Sequence, residues 1–515
     1  MEQDNSVKSR RIAKNTLMLY VRMFMLMLVG LYTSRVVLNA LGESDFGIYN
    51  VVGGVVAMFS IISGTLNTAV SRFITFEMGK GENAQMNKVF STSVTIQLAL
   101  AAIVVILAEP VGLWFIDNKM TIDPSRIPAA KMVFQFSLFS FVVNLMSVPQ
   151  MASITAHEKM SAYAWIGLLD GFLRLGVALL IRSSSADRLV QYAALMACAV
   201  LVVRMAYGIY CRRNFPECRY RPVFDKPLIK EMFSYSGWNF IGTLAGVMRD
   251  HGGNILVNLF SGPAVNAARG VALQLNGAVQ GFVTNFMTAV NPQITKSYAA
   301  SEREYMFSLM RKSSSMSFYM LLILALPVIF NTEFLLKLWL KEVPEHTVLF
   351  VRLFLVFAMS ETFVGPLNTA LHATGKIRNF QIVVGGLQLL NIPVSYILLR
   401  LGAIPEATVM VAIALSQVCM FVRLFMLKNC MSFPVGIYLR RVYLKALAAT
   451  AVVVAVFWPI WKCVPQTLAG FIANVCICVA LTAVSVYVVG FNRDEKEMAH
   501  EFVSKALKKY GILKS

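Results

Sequence analysis

The sequence predicts an all-α polytopic membrane protein of about fourteen transmembrane helices. They are expected as two six-helix lobes related by a pseudo-two-fold along the membrane normal, with two further helices at the C-terminal end. Three observations lead there: composition, a regular succession of apolar stretches of spanning length, and an internal repeat. Of 515 residues, 57% are apolar and only 14% charged, where soluble domains carry roughly 25% charged residues. Mean hydropathy is +0.64.

A helix needs about 20 mainly apolar residues to cross roughly 30 Å of hydrocarbon. Fourteen stretches qualify, near 15–38, 46–70, 89–108, 131–154, 162–181, 188–209, 234–260, 264–290, 308–330, 347–371, 378–400, 405–427, 442–463 and 467–490. The opening MEQDNSVKSRRIAKN is polar and basic and runs into a full-length span without a small-residue cleavage site, so a retained first helix is expected. Nothing between spans has the length of a separate soluble domain.

The net charge of +20 would suit nucleic acid, but its distribution points elsewhere. With the N-terminus inside, thirty of the 47 Lys and Arg fall on the cytoplasmic side, nine on the outer side and eight well within spans. That asymmetry follows the positive-inside rule. It predicts a multi-pass protein of the cytoplasmic (inner) membrane with both termini cytoplasmic, its loops attracted to anionic membrane lipids. No nucleic-acid partner is expected. The eight cysteines show neither a disulfide framework nor zinc spacing and read as packing residues, so no metal is expected.

Self-comparison reveals the repeat. TAVSRFIT (68–75) returns as TAVNPQIT (288–295), at an offset of 220, and in the same register Gly42 aligns with Gly262. A second pair links PQMASITAHEKMSAY (149–163) to PLNTALHATGKIRNF (366–380). The shared frame is Pro149, Ala156, Lys159 and Tyr163 against Pro366, Ala373, Lys376 and Phe380. An offset of six spans makes the repeats parallel in topology, a plan of transporters that alternate which side is open. The expected organisation is an N-lobe (1–210), a basic cytoplasmic linker (211–230), a C-lobe (231–428), two added spans (429–490) and a cytoplasmic tail (491–515).

This plan, with the stretches RRIAKNTLMLYVRMF (10–24), LNALGESDFGIYNVVGGVVAMF (38–59) and PLNTALHATGKIRNF (366–380), resembles the multidrug/oligosaccharidyl-lipid/polysaccharide exporter superfamily, and within it the polysaccharide-repeat (O-antigen or capsule) flippases. The likeness spans about residues 10–490. Fourteen spans also match the lipid II flippase branch, whereas many O-antigen flippases are described with twelve, so the cargo stays open. The resemblance implies a flippase that moves polyprenyl-pyrophosphate-linked oligosaccharide for cell-surface polysaccharide or lipopolysaccharide biosynthesis, by alternating access.

The candidate site residues are the ionisable groups well inside spans, which are costly in hydrocarbon and mark functional sites. The basic candidates within spans are Arg22, Arg35, Arg174, Arg204, Arg249, Arg269, Arg352 and Arg423; all are arginine, whose planar fork suits bidentate phosphate contact. The acids there are Asp170, Asp250 and Glu361. The excess of positive charge predicts a wet, cationic cavity between the lobes for an anionic headgroup. Arg22, Arg249 and Arg269 are expected to line it, with Asp250, Arg174 and Arg35 as further contacts. In the resembled lipid II flippases, cavity arginines lie on the first and eighth helices, which Arg22 and Arg269 occupy here. Arg204 and Arg423 lie near cytoplasmic helix ends and Arg352 and Arg35 near outer ones, where snorkelling to the interface accounts for them. Asp170 and Arg174 have the favoured i,i+4 order for a helix pair, whereas Arg249 and Asp250, at i,i+1, should point apart. Glu361, before Gly365-Pro366, and with it Asp170 and His251, are the coupling or gating candidates.

Other classes fit less well. No GxxxxGK[ST] loop is present to cradle a nucleotide, so no nucleotide partner or cofactor is expected; H+ or Na+ gradients, the membrane potential or the cargo gradient would drive the cycle. An ion-coupled multidrug or organic-cation antiporter would want an acid in the first span, which has none. A membrane polysaccharide polymerase would want a large outer loop; the longest here, 109–130, offers only Glu109, Asp117 and Asp123. A transporter rather than an enzyme is therefore expected.

Overall fold

The computed structural model describes residues 2–57, 60–81, 85–118, 120, 122–182, 187–340, 343–465, 467–492 and 495–497. Most of the tail expected at 491–515 lies outside them. Among the described residues all regular structure is helical, and eleven helices are long and apolar enough to cross a membrane. Three more helical limbs, Ser60–Gly79, 226–261 and 263–299, have the length but carry more polar residues, which brings the architecture to about fourteen spans. Large apolar side chains such as Ile106, Trp165, Ile255 and Leu259 are exposed, as hydrocarbon requires of a helix surface.

In chain order the first half comprises α1 (Glu2–Ala57), α2 (Ser60–Gly79), α3 (Met86–Asn118), α4 (Ile127–Ala156), α5 (Met160–Arg182) and α6 (Arg188–Asn214). The long α7 (Lys226–Ala299) follows. Both α1 and α7 bend once, at Gly42 (φ 78°, ψ 169°) and at Gly262 (φ 82°, ψ 176°). This backbone region is open essentially to glycine alone, so the two glycines aligned by the repeat make the same elbow. Burial repeats as well. From Ala69 to Lys80 and from Ala289 to Ala300 the pattern of buried, half-buried and exposed positions is identical.

The second half has α8 (Arg303–Phe330), α9 (Thr332–Leu340), α10 (Thr347–Glu361), α11 (Val364–Ala373), α12 (Arg378–Leu389), α13 (Asn391–Arg400) and α14 (Ala407–Met431). Then α15 (Val435–Tyr438) and α16 (Leu444–Cys463) flank a π turn, Leu439–Tyr443, and α17 (Leu468–Ser485) ends in another, Val486–Gly490. The tenth span breaks between α10 and α11 because Pro366 cannot donate back to Thr362. Beside the break, the carbonyl of Phe363 accepts the buried Tyr438 hydroxyl at 3.3 Å.

The chain packs as two compact units, Met1–Thr243 with Thr295–Ser301, and Leu244–Ile294 with Glu302–Ser515. Within the first, loop contacts follow an up-and-down order. At one end Arg126 bonds Asp45 and also Asp187, the N-cap of α6. At the other, Asn87 donates to the carbonyls of Glu217 and Arg219, each at 2.8 Å, and His157 pairs with Glu217. Lys88 pairs with Asp225, the N-cap of α7; its ammonium and the Leu228 N–H hold the Asp225 carboxyl below the usual carboxylate range. A cluster of Phe90, Ile154, Tyr207 and Phe215 packs beside that end.

Candidate functional site

Each unit contains a cavity at membrane depth. The one in the second unit has a volume of about 330 Å³ and is walled by α7, α10 and the α10–α11 break. Arg249 and Asp250 face it, with Asn276, Gln280, Thr284, Thr288 and Asn291 along the second limb of α7 and Glu361 and Thr362 at the break. Phe354 and Phe357 supply aromatic surface, and the Arg249 guanidinium lies 4.9 Å from the Phe357 ring centroid.

Arg249 and Asp250, expected to point apart, are paired: Nε donates to Oδ1 at 2.9 Å and Nη2 to Oδ2 at 3.3 Å. The three-methylene stem of arginine lets its fork turn back over one peptide, and an uncompensated charge at this depth would be costly. The Arg249 side chain is 15% exposed and that of Asp250 52%. Glu361 accepts a short hydrogen bond from Ser416, which in turn accepts one from Ser360 at 3.2 Å. The wall thus holds one guanidinium and two carboxylates, a mixed rather than a cationic surface. The side-chain oxygen of Asn276 is buried and has no hydrogen-bond partner.

The cavity of the first unit, about 300 Å³, is lined by Arg22, Ser63, Asn67, Asn144, Ser147, Asp170 and Tyr207 among others. Arg22 stacks 4.4 Å from the Tyr163 ring centroid and its buried Nε has no hydrogen-bond partner. It fits there because residue 167 is glycine: a Cβ at Gly167 would stand 2.2 Å from Arg22 Nε. Arg174 donates to Asp170 at 3.0 Å, the i,i+4 pair the sequence suggests.

The two walls correspond through the repeat. Ser63, Gly64 and Asn67 line one cavity, and Val283, Thr284 and Met287, each 220 residues on, line the other. Asn144 and Val148 likewise match Glu361 and Gly365 at the offset of 217.

Other candidates lie elsewhere. Arg269 is only 4% exposed and is not on the wall of either cavity. It donates to Asn254 Oδ1 at 2.7 Å, to Thr408 Oγ1 at 3.1 Å and to the carbonyl of Asp250 at 3.4 Å, bracing the turn that carries Asp250. Arg35 and His251 are exposed. Two snorkelling expectations are corrected. Arg423 is 2% exposed and donates to Asn368 Oδ1 at 2.7 Å, because its helix face turns toward α11 rather than the interface. Arg352 donates to the carbonyl of Ile329 at 3.0 Å and so closes the last turn of α8. The row of amides and hydroxyls on α7 carries no charge to mark it in the sequence, although Asn276, Gln280, Thr284, Thr288 and Asn291 follow helical i,i+3 and i,i+4 spacing.

Bent helices, an internal repeat and a polar cavity at membrane depth in each half define a transporter of the multidrug/oligosaccharidyl-lipid/polysaccharide exporter superfamily. Residues 12–298 match the family profile described as "Polysaccharide biosynthesis protein", and the chain belongs to that family. Residues 251–397 also match the profile named MatE. Among solved structures the chain is similar to an outward-facing multidrug resistance MATE family transporter of the MOP superfamily (TM-score 0.71, 13% identity, 82% of this chain and 96% of that one). It is similar to MATE in the bent conformation (0.71, 12%, 82% and 96%). A third is a MOP superfamily transporter from Pyrococcus furiosus whose binding pocket is described as reversed in polarity (0.69, 12%, 83% and 96%). These likenesses concern the fold. No curated protein matches the chain by sequence.

Proposed function

We propose that this transporter flips a polyprenyl-pyrophosphate-linked oligosaccharide across the bacterial cytoplasmic membrane by alternating access, for cell-surface polysaccharide biosynthesis. The observation that carries the reading is the cavity wall of the second unit. Eight amide, hydroxyl and carboxylate side chains stand there beside six apolar ones, a mixed wall where pockets for drug-like molecules are mostly apolar. Asn276, Gln280, Thr284, Thr288 and Asn291 suit sugar hydroxyls, and Phe354 and Phe357 offer faces for a sugar ring. Arg249 holds Asp250 until a pyrophosphate displaces that carboxylate, exchanging one charge-assisted pair for another. The family description, polysaccharide biosynthesis, agrees with this chemistry. The excess of basic loop residues on one side supports cytoplasmic termini, and an inside-negative potential would favour outward movement of such a cargo.

A second reading, ion-coupled export of organic cations, draws on Asp250 and Glu361 in the same wall and on the MATE-like fold. Reconstituted protein separates the two. Movement of a fluorescent polyprenyl-pyrophosphate oligosaccharide is expected, and efflux of an organic cation is not. Cation efflux without movement of the oligosaccharide would reverse the assignment.

A further inference from the structure

The two helical spans outside the repeat carry a third cavity, the largest of those described here at about 680 Å³. It lies at the end of the α15–α17 region that the charge distribution assigns to the cytoplasm, and its lining among the described residues includes Arg440, Arg441, Lys445 and Asn492 but no acid. In an α-helix, residues five apart lie about 140° apart around the axis, so Arg440 and Lys445 would diverge. The Leu439–Tyr443 π turn, closed by Leu444 N–H on Leu439 O, widens the turn, so residues 440 and 441 both come over 445. A second π turn ends the α17 region. Val486–Gly490 accepts Phe491 N–H at 2.8 Å and delivers Phe491 O to Lys445 Nζ at 3.2 Å. Two π turns at one end of a helix pair are an unusual expense of regular hydrogen bonding, and such turns concentrate at functional sites.

We propose that this cavity binds the phosphate headgroup of an anionic glycerophospholipid. Two guanidinium forks and an ammonium are the donors that phosphate oxygens take, and basic pockets between transmembrane helices on the cytoplasmic side bind such headgroups. Among the described residues, Glu495 accepts from the Asn492 N–H at 2.7 Å and from the Asn492 side-chain amide at 3.0 Å. A lipid suits the place better than a free anion because Leu444 and Leu447 on α16, and Val484 and Val488 at the end of the α17 region packed against it, are exposed apolar side chains that acyl chains can cover.

Native mass spectrometry of the purified full chain, offered phosphatidylglycerol, phosphatidylcholine, polyprenyl diphosphate and inorganic phosphate in turn, tests the site. Phosphatidylglycerol adducts are expected to exceed phosphatidylcholine adducts at least tenfold. The excess should vanish in Arg440→Gln/Arg441→Gln/Lys445→Gln and largely persist in Arg440→Lys/Arg441→Lys. The Gln variant is compared at equal monodispersity and at an equal melting temperature in neutral lipid. If it unfolds, charge reversal at the exposed Arg440 alone (Arg440→Glu) serves instead, with a loss of about half the excess expected. Equal adducts of both phospholipids, an unchanged excess in the variants, or a response to polyprenyl diphosphate or inorganic phosphate alone would each overturn the proposal.

Discussion

The two membrane cavities are built on matching positions and charged in opposite styles. In the first unit Arg22 keeps a buried, unpartnered Nε over Tyr163, while the nearby acid, Asp170, is taken by Arg174. In the second, Arg249 is taken by Asp250, and the carboxylate of Glu361 stands where the first unit has Asn144. The repeat therefore decides where a cavity forms, and single substitutions decide what it holds. Arg22 and Arg249 are not repeat partners: 220 residues after Arg22 stands Gly242, and 220 before Arg249 stands Val29.

The strongest test of this contrast is Arg249. If its cavity receives the pyrophosphate, Arg249→Ala should lower flipping in liposomes by on the order of tenfold or more, since a hydrogen bond to a charged group contributes about 1.5–3 kcal/mol. Arg249→Lys keeps the charge without the fork and should retain part of the rate. Full transport by the alanine variant at equal membrane abundance would remove the second cavity from the cargo path.

The shared scaffold comes next. Gly42→Ala and Gly262→Ala each force a side chain into glycine-only backbone space, at a cost of about 1–3 kcal/mol. Both should lower the melting temperature of the purified protein, and by similar amounts. A loss confined to one of them would mean that the elbows are not equivalent.

Arg423→Ala separates packing from cargo handling. Because Arg423 is buried against Asn368, its truncation should destabilise by about 1–3 kcal/mol, read as a lower melting temperature, with per-molecule flipping unchanged. The smallest effect is expected from Asn144→Glu, which copies the Glu361 carboxylate into the first cavity. A partly exposed ion pair with Arg22 contributes about 0.2–1 kcal/mol, so flipping should fall only a few-fold. No change would mean that Arg22 is idle in transport.

Much of the scaffold is legible in the sequence because hydrocarbon permits few backbone solutions. The spans, the Gly42–Gly262 register and the Asp170–Arg174 pair all follow from local spacing. Side-chain direction across helices does not. That Arg423 turns inward depends on Asn368, 55 residues away, and that Arg269 braces Asp250 depends on Thr408. The Arg249–Asp250 pair escaped a rule of helix geometry because the arginine stem is long enough to ignore it. The cavity's polar row could have been found, had neutral amides and hydroxyls been weighed beside charges.

The glycine elbows also say something about descent and engineering. The halves have drifted until Arg22 faces Gly242 in alignment, yet 42 and 262 still hold the one residue their backbone accepts. A point where stereochemistry forbids drift is a fossil of the duplication that made the chain. It is also the joint at which a limb from one half could be spliced into the other with its bend already in place.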